Sequence, residues 1–200
     1  EKIPGRQIFI SLIVLPTVLS PIVSGATWRL LFDQRYGPIN QVLGWIAGHE
    51  VVMLWTIERT LVYPAILICE IWQWTPFMML IILAGLQSQA TDILEAAAVD
   101  GASAWQMFTK MTLPHLKQYV QLAIVLGTIY IVQSMDFVYT ITQGGPGTDS
   151  TIIPYQIYLT MFRKYEYGEA AAAGVIVVVF TIILANFAMR LTKDLLEAEK

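Results

Sequence analysis

Apolar residues along the chain gather into four long runs, at residues 8–32, 61–86, 119–142 and 170–191. Each reaches the roughly 20 residues needed to cross a hydrocarbon core about 30 Å thick, so each predicts a membrane-spanning helix. Pro4-Gly5-Arg6 is a breaker that sets the start of the first span. Within that span Pro16 and Pro21 each remove a backbone donor, which predicts a bent or locally unwound helix. The last span opens on Ala170 to Ala173 and Gly174, small residues that allow close helix packing in lipid.

The segments between the runs differ in character. Residues 33–60 are too long for a tight turn and hold Val42, Leu43, Trp45, Ile46, Val51, Val52, Met53, Leu54 and Trp55. They predict one or two helices lying at the bilayer surface, with Trp45 and Trp55 at headgroup level. Gly144-Gly145-Pro146-Gly147 cannot sustain a helix and predicts a rigid external turn, followed by an amphipathic stretch over residues 152–167.

The segment between the second and third runs, residues 92–114, is polar and turn-forming while both flanks are apolar. Asp92 with Glu95 three residues on is a capping-box variant, predicting a short helix over Ile93 to Val99. Asp100-Gly101 supplies its stop, because Gly accepts the left-handed backbone without a Cβ penalty. Ser103 and Gln106 form a second capping box, so a new helix starts at once in another direction. The result is an elbow bent at Gly101. Ala96, Ala97 and Ala98 keep its first arm slim. Trp105, Phe108 and Met111 make one apolar stripe on the second arm, able to lie against the ends of membrane helices. Leu113-Pro114 closes the elbow, with Pro suited to the first turn of the next helix.

Composition narrows the class. At 56% hydrophobic and 14% charged, the 200 residues carry far fewer charges than the about 25% of a soluble domain. The fold class expected is all-α, a polytopic helical bundle in a lipid bilayer. A net charge of −3 without a Lys/Arg cluster excludes a nucleic-acid partner. Cys69 is the single cysteine, so no internal disulfide forms, and Cys69, His49 and His115 are too isolated to build a metal site. No nucleophile, base and orienter trio assembles, which speaks against a catalytic site, and no GxxxxGK[ST] phosphate loop is present.

The elbow also carries a resemblance. Glu95-Ala96-Ala97, three residues, Gly101, nine residues, Met111, one residue and Leu113-Pro114 resembles the EAA signature of ABC-importer permease subunits, with Met111 where the pattern usually has Ile. The resemblance implies that the elbow is a coupling helix seated in a groove of a cytoplasmic ATPase, with Glu95, Ala96, Ala97, Asp100, Gly101, Leu113 and Pro114 as the coupling residues. Pro4-Gly5-Arg6, Leu15-Pro16, Trp28, Leu31-Phe32, Gly37, Asn40, Trp72, Pro76-Phe77, Ala84-Gly85-Leu86-Gln87 and the Gly144 to Gly147 turn are similar to the maltose-type carbohydrate-importer permeases. The turn is similar to that of the first partner of the permease pair. Such subunits usually have two further N-terminal spans. With a chain that begins at Glu1 without an initiator Met or a leader, the expectation is a C-terminal core.

Lys and Arg divide unequally between the two sides of the membrane. With the elbow cytoplasmic, Lys2, Arg6, Lys110, Lys117, Arg190, Lys193 and Lys200 lie inside against Arg29, Arg35, Arg59, Arg163 and Lys164 outside, a slight positive-inside bias that agrees with the family's orientation.

Polar residues inside spans need partners. Glu70 sits about one-third of the way along its span, where an ionised carboxylate costs roughly 2.5 to 3.5 kcal/mol. Either it lines a pathway or it is protonated or hydrogen-bonded inside the bundle; Asp136, nearer its span's end, reads as a solvated rim. Gln73, Trp74 and Phe77 follow Glu70 at i+3, i+4 and i+7, beside Pro76, which frees the Trp72 carbonyl. Tyr130, Gln133, Ser134 and Phe137 make a second face with the same spacing. Amides and hydroxyls mixed with aromatic planes suit a sugar, and the resemblance places the substrate site on these helices. Polar contacts between packed helices are the other reading of the same residues.

Together these features predict a permease subunit of an ATP-driven carbohydrate importer in the cytoplasmic membrane of a prokaryote. The implied partners are a second related permease, two ATPase subunits that bind ATP and Mg, and an extracytoplasmic solute-binding protein. The chain itself holds no cofactor. Rival readings are a different polar cargo such as glycerol phosphate, against which no Arg or Lys sits on the candidate faces, and a membrane scaffold that moves no solute.

Overall fold

The computed structural model describes residues 5–197, with the side chains of that stretch apart from Arg6 and residues 191–197. Lys2, Pro4 and Lys200 of the expectations above lie outside the described residues, as do the side chains of Arg6 and Lys193. The described chain is helical, without a strand. In order it forms α1 (Arg6–Val18), α2 (Pro21–Leu31), α3 (Pro38–Ala47), α4 (Arg59–Gln87), α5 (Thr91–Val99), α6 (Ala104–Met107), α7 (Leu113–Gln133), α8 (Ile153–Phe162) and α9 (Tyr167–Glu197). Two π-helical turns, Phe108–Thr112 and Val138–Thr142, flank α7.

Three continuous helical stretches are long and apolar enough to cross a membrane: Arg59–Gln87, Ala104–Thr142 and Tyr167–Arg190. The first apolar run instead forms a pair, Gln7–Val18 and Pro21–Leu31, bent by 97°. The sequence flagged both Pro16 and Pro21, but only Pro21 marks the break. Pro16 stays inside α1, whereas Ser20 takes the extended backbone favoured before a proline (φ −60°, ψ 131°) and Pro21 becomes the first residue of α2.

The chain divides into two compact units. One takes the residues up to Pro76 together with Ile131–Val179, the other Phe77–Tyr130 with the chain from Phe180 onward. In the first unit the core is Phe32, Ala65, Cys69, Phe137 and Ile141, with Trp28, Ile39, Trp55 and Ile66 packed against it. Trp28 stacks on Phe32 at 5.4 Å between centroids and meets Trp72 edge-on at 5.6 Å. α2 lies against the π turn Val138–Thr142 because Gly25 faces it; a Cβ on Gly25 would sit 1.9 Å from Thr140 Oγ1.

The connection before α4 holds one helix, α3, rather than two, and its tryptophans part company. Trp45 is 85% exposed. Trp55 does not join it: its ring lies 5.3 Å from that of Phe32 and its Nε1–H donates to Asn40 Oδ1 at 2.9 Å. Asn40 is buried and donates in turn to the Met53 carbonyl at 3.0 Å, so one amide satisfies both a ring N–H and a loop carbonyl and draws Trp55 inward.

The Gly-rich turn is held in several places. Gln143, Gly144 and Gly147 have positive φ, and the Gly145–Pro146 peptide is cis. Ser150, fully buried, donates to the Gly145 carbonyl at 2.6 Å, and Asp149 pairs with Arg59 Nε at 3.1 Å. The Tyr63 hydroxyl donates to the Asp149 carbonyl. Arg59 is largely exposed, so its pair is screened. Arg59→Ala is expected to lower stability by no more than about 1 kcal/mol in a thermal melt, the turn being kept by Ser150 and Tyr63.

Candidate functional site

The elbow forms between α5 and α6, in the second unit. α5 begins at Thr91, two residues before the predicted start, with extended Ala90 before it and no side-chain cap. Asp92 therefore lies inside the first turn, where its carboxylate favours the helix N-terminus, instead of capping it. Glu95 falls in the second turn, beyond the reach of the capping box expected of it. The stop is a full Schellman motif: Ala102 N–H donates to the Ala97 carbonyl at 3.0 Å and Gly101 N–H to the Ala98 carbonyl at 3.1 Å, with Gly101 at φ +82°. Ser103 then caps α6 with both arms of the box made, Gln106 N–H to Ser103 Oγ at 3.3 Å and Ser103 N–H to Gln106 Oε1 at 2.8 Å.

The second arm departs from expectation. Leu113-Pro114 does not end it, because the wider π turn Phe108–Thr112 leads straight into α7, with the Leu113 N–H bonded to the Phe108 carbonyl. A π turn relieves the crowding that Pro114 brings to the preceding carbonyls. The arm thus runs on as the root of the span. The apolar stripe is largely open at its start: Trp105 is 72% exposed with its ring 5.9 Å from that of Phe108, while Met111 is half-buried. An apolar cleft of about 340 Å³ lies between the arms, lined by Leu94, Ala98, Ala104, Met107 and Phe108 among others. A second cleft of that size, lined by Asp100, Gln106 and Lys110 among others, is more polar. Glu95, Ala96 and Asp100 are exposed, while Ala97 is buried in the elbow.

The intramembrane candidates separate. In the first unit Glu70, Trp74 and Ser134 come together: Trp74 Nε1–H donates to Glu70 Oε2 at 3.0 Å and the Ser134 hydroxyl to Glu70 Oε1 at 3.1 Å. Both carboxylate oxygens of Glu70 are engaged, as a polar group at membrane depth requires. Gln73 is 3% exposed, and its Nε2 donates to the carbonyls of Pro16 at 2.6 Å and Leu19 at 3.2 Å, groups left without helical partners by the break after α1. The face expected from Tyr130 to Phe137 is not continuous. α7 ends at Gln133, Ser134 and Met135 leave the helix, and the chain re-enters it at Asp136. Phe137, 1% exposed, belongs to the core. Gln133 is exposed. In the second unit Phe77 and Tyr130 meet edge-on at 5.9 Å.

Residues 37–199 match the family of binding-protein-dependent transport system inner membrane components. The chain belongs to that family. It is 38% identical over 181 residues to a probable ABC transporter permease protein of Sinorhizobium fredii, an alignment covering 90% of this chain and 58% of that protein. It is 34% identical over 187 residues to the trehalose/maltose transport system permease protein of Thermococcus litoralis, covering 94% and 61% respectively. The chain thus spans about three-fifths of the length of these relatives. Two solved chains share the fold. One, from a bacterial ABC transporter involved in import of the acidic polysaccharide alginate, superposes with TM-score 0.81 at 24% identity over 96% of this chain and 67% of that one. The other, from a bacterial alginate ABC transporter in complex with an alginate pentasaccharide-bound periplasmic protein, gives 0.78 at 26% identity over 96% and 66%. This inner-membrane component is therefore all-helical, with the helical fold of an ABC importer permease.

Proposed function

We propose that the chain is the membrane-spanning core of an ATP-driven carbohydrate importer in a prokaryotic cytoplasmic membrane. It pairs with a second permease and two ATPase subunits, on which ATP and Mg act, and receives cargo from an extracytoplasmic solute-binding protein. The elbow carries this reading. A bend capped on both arms and rooted in two apolar helices leaves Val99, Trp105 and Phe108 exposed around it, and such an apolar surface calls for a protein partner. The rest follows by two-state logic: closure of the ATPases displaces the elbow and shifts the spans between inward- and outward-open forms. A carbohydrate cargo is supported by the relative named as a trehalose/maltose transport system permease, and by candidates of sugar-binding chemistry in each unit, Gln133 in the first and Phe77 with Tyr130 in the second.

The test is uptake by the reconstituted complex. Gln133→Leu is expected to raise the KM for sugar by about two- to tenfold, the worth of one net hydrogen bond, with assembly intact. Unchanged kinetics in both Gln133→Leu and Phe77→Ala remove the cargo assignment. Crosslinks from the solute-binding protein are expected on α3, α8 and the turn at Gly144 to Gly147. Crosslinks confined to the elbow would invert the topology and end the proposal.

A further inference from the structure

The last carbonyls of α4 need partners, since the helix stops at Gln87 and residues 88–90 are irregular. Ser88 N–H takes the Ala84 carbonyl at 3.0 Å. The Gly85 carbonyl is met by side chains instead: the Ser88 hydroxyl donates to it at 2.9 Å, and His115 Nε2, from the first turn of α7, lies 3.0 Å away. The same Nε2 is 3.0 Å from Ser88 Oγ, and the Tyr119 hydroxyl is 2.7 Å from that oxygen. One proton arrangement satisfies every contact. His115 carries its proton on Nε2 and shares it between the Gly85 carbonyl and Ser88 Oγ, while Tyr119 O–H donates to Ser88 Oγ.

The close approach is built into the backbone. His115 and Tyr119 lie four residues apart on one face of α7, their rings 5.7 Å apart. Gly85 makes room for them: a Cβ there would stand 2.6 Å from the Tyr119 ring and 3.0 Å from Leu116. The node thus joins the end of α4 to the start of α7, next to the points where the elbow leaves one and enters the other.

We propose that Gly85, Ser88, His115 and Tyr119 form a clamp that binds the elbow's two roots into one body, so that displacement of the elbow reaches α4 and α7 together. Without it, residues 88–90 are a three-residue hinge about which α5 swings while α4 stays still. His115 and Tyr119 are positioning residues that act through the ends of α4 and α7. Their role in coupling rests on the importer reading; the clamp's existence as a restraint does not.

The experiment has two arms. In proteoliposomes holding the complete transporter, His115→Ala and Tyr119→Phe are expected to keep ATPase binding and solute-stimulated hydrolysis, while solute imported per ATP falls about fivefold, the scale of one hydrogen bond. His115→Gln, which retains an N–H able to reach the Gly85 carbonyl, restores most of that ratio. A ratio unchanged in both variants, or loss of ATPase binding with no separate fall in the ratio, overturns the clamp's role. The second arm is amide hydrogen exchange on the permease complex. His115→Ala is expected to speed exchange over residues 85–92 and 115–119, and unchanged protection overturns the clamp itself. A wild-type complex without ATP-driven uptake would defeat the importer reading, and the exchange arm then decides the clamp alone.

Discussion

Gly101→Val is expected to cut solute-stimulated ATP hydrolysis about tenfold or more while the membrane helices still insert. Gly101 sits at φ +82° with no atom within 4 Å of where a Cβ would stand, so no neighbour resists a side chain. The obstacle is the backbone. An L-residue in the left-handed region costs roughly 1–2 kcal/mol, and a β-branched one is a genuine outlier there. The chain escapes that cost by leaving the left-handed region, which breaks the bonds to the Ala97 and Ala98 carbonyls and re-aims α6 relative to α5. A graded series follows. Gly101→Asn should be nearly silent, because Asn tolerates this region, Gly101→Ala intermediate, and Gly101→Val severe. Glu95→Ala should be mild, since Glu95 is exposed in the second turn of α5 and a surface pair is worth about 1 kcal/mol or less. The measurement is stimulated hydrolysis beside a pull-down of the ATPase with each variant. Full hydrolysis and full ATPase binding in Gly101→Val would make the elbow an ordinary connection.

The features readable in the sequence were those set by short-range chemistry. A Gly after Asp100 and a Ser three residues before a Gln specify a stop and a start within one turn each, and the structure makes both. Long apolar runs likewise report helices without reference to anything distant. Misread features were decided by distant partners or by local breaks that no residue type announces. Trp55 and Trp45 look alike in sequence, yet Trp55 turns inward because Asn40, 15 residues earlier, offers its ring an acceptor. Phe137 had the spacing of a pathway residue, but a break at Ser134 and Met135, where no Gly or Pro gives warning, turns it into the core beside Phe32. The π turn before Pro114 has no sequence signature that distinguishes it from an ordinary first turn. The node at Ser88 was also invisible, since a His whose ring nitrogen meets a carbonyl and one hydroxyl from another helix has no signature in its own neighbourhood.

Gln73→Leu is expected to lower the yield and thermal stability of the whole permease, although the sequence placed this residue beside Gln133 as a cargo contact. The two glutamines differ in surroundings. Gln133 is exposed, whereas the Gln73 amide is buried and gives its N–H groups to the Pro16 and Leu19 carbonyls, 57 and 54 residues earlier. Those carbonyls exist as open acceptors because α1 stops at Val18 and the chain turns by 97°. Gln73 thus acts as a cap supplied by another helix, holding a bend that Pro21 permits and does not by itself maintain. Leu fills similar space and donates nothing, stranding the buried Pro16 carbonyl at roughly 1–3 kcal/mol and costing less at the Leu19 carbonyl, which lies on an exposed residue. Gln73→Glu should be as damaging when ionised, because a carboxylate facing two carbonyls adds repulsion to the lost donors. In a thermal melt of the detergent-solubilised complex both variants should unfold well below wild type, and the folded fraction should import sugar with an unchanged KM. Normal yield and melting with a raised KM would reverse the assignment and return Gln73 to the cargo path.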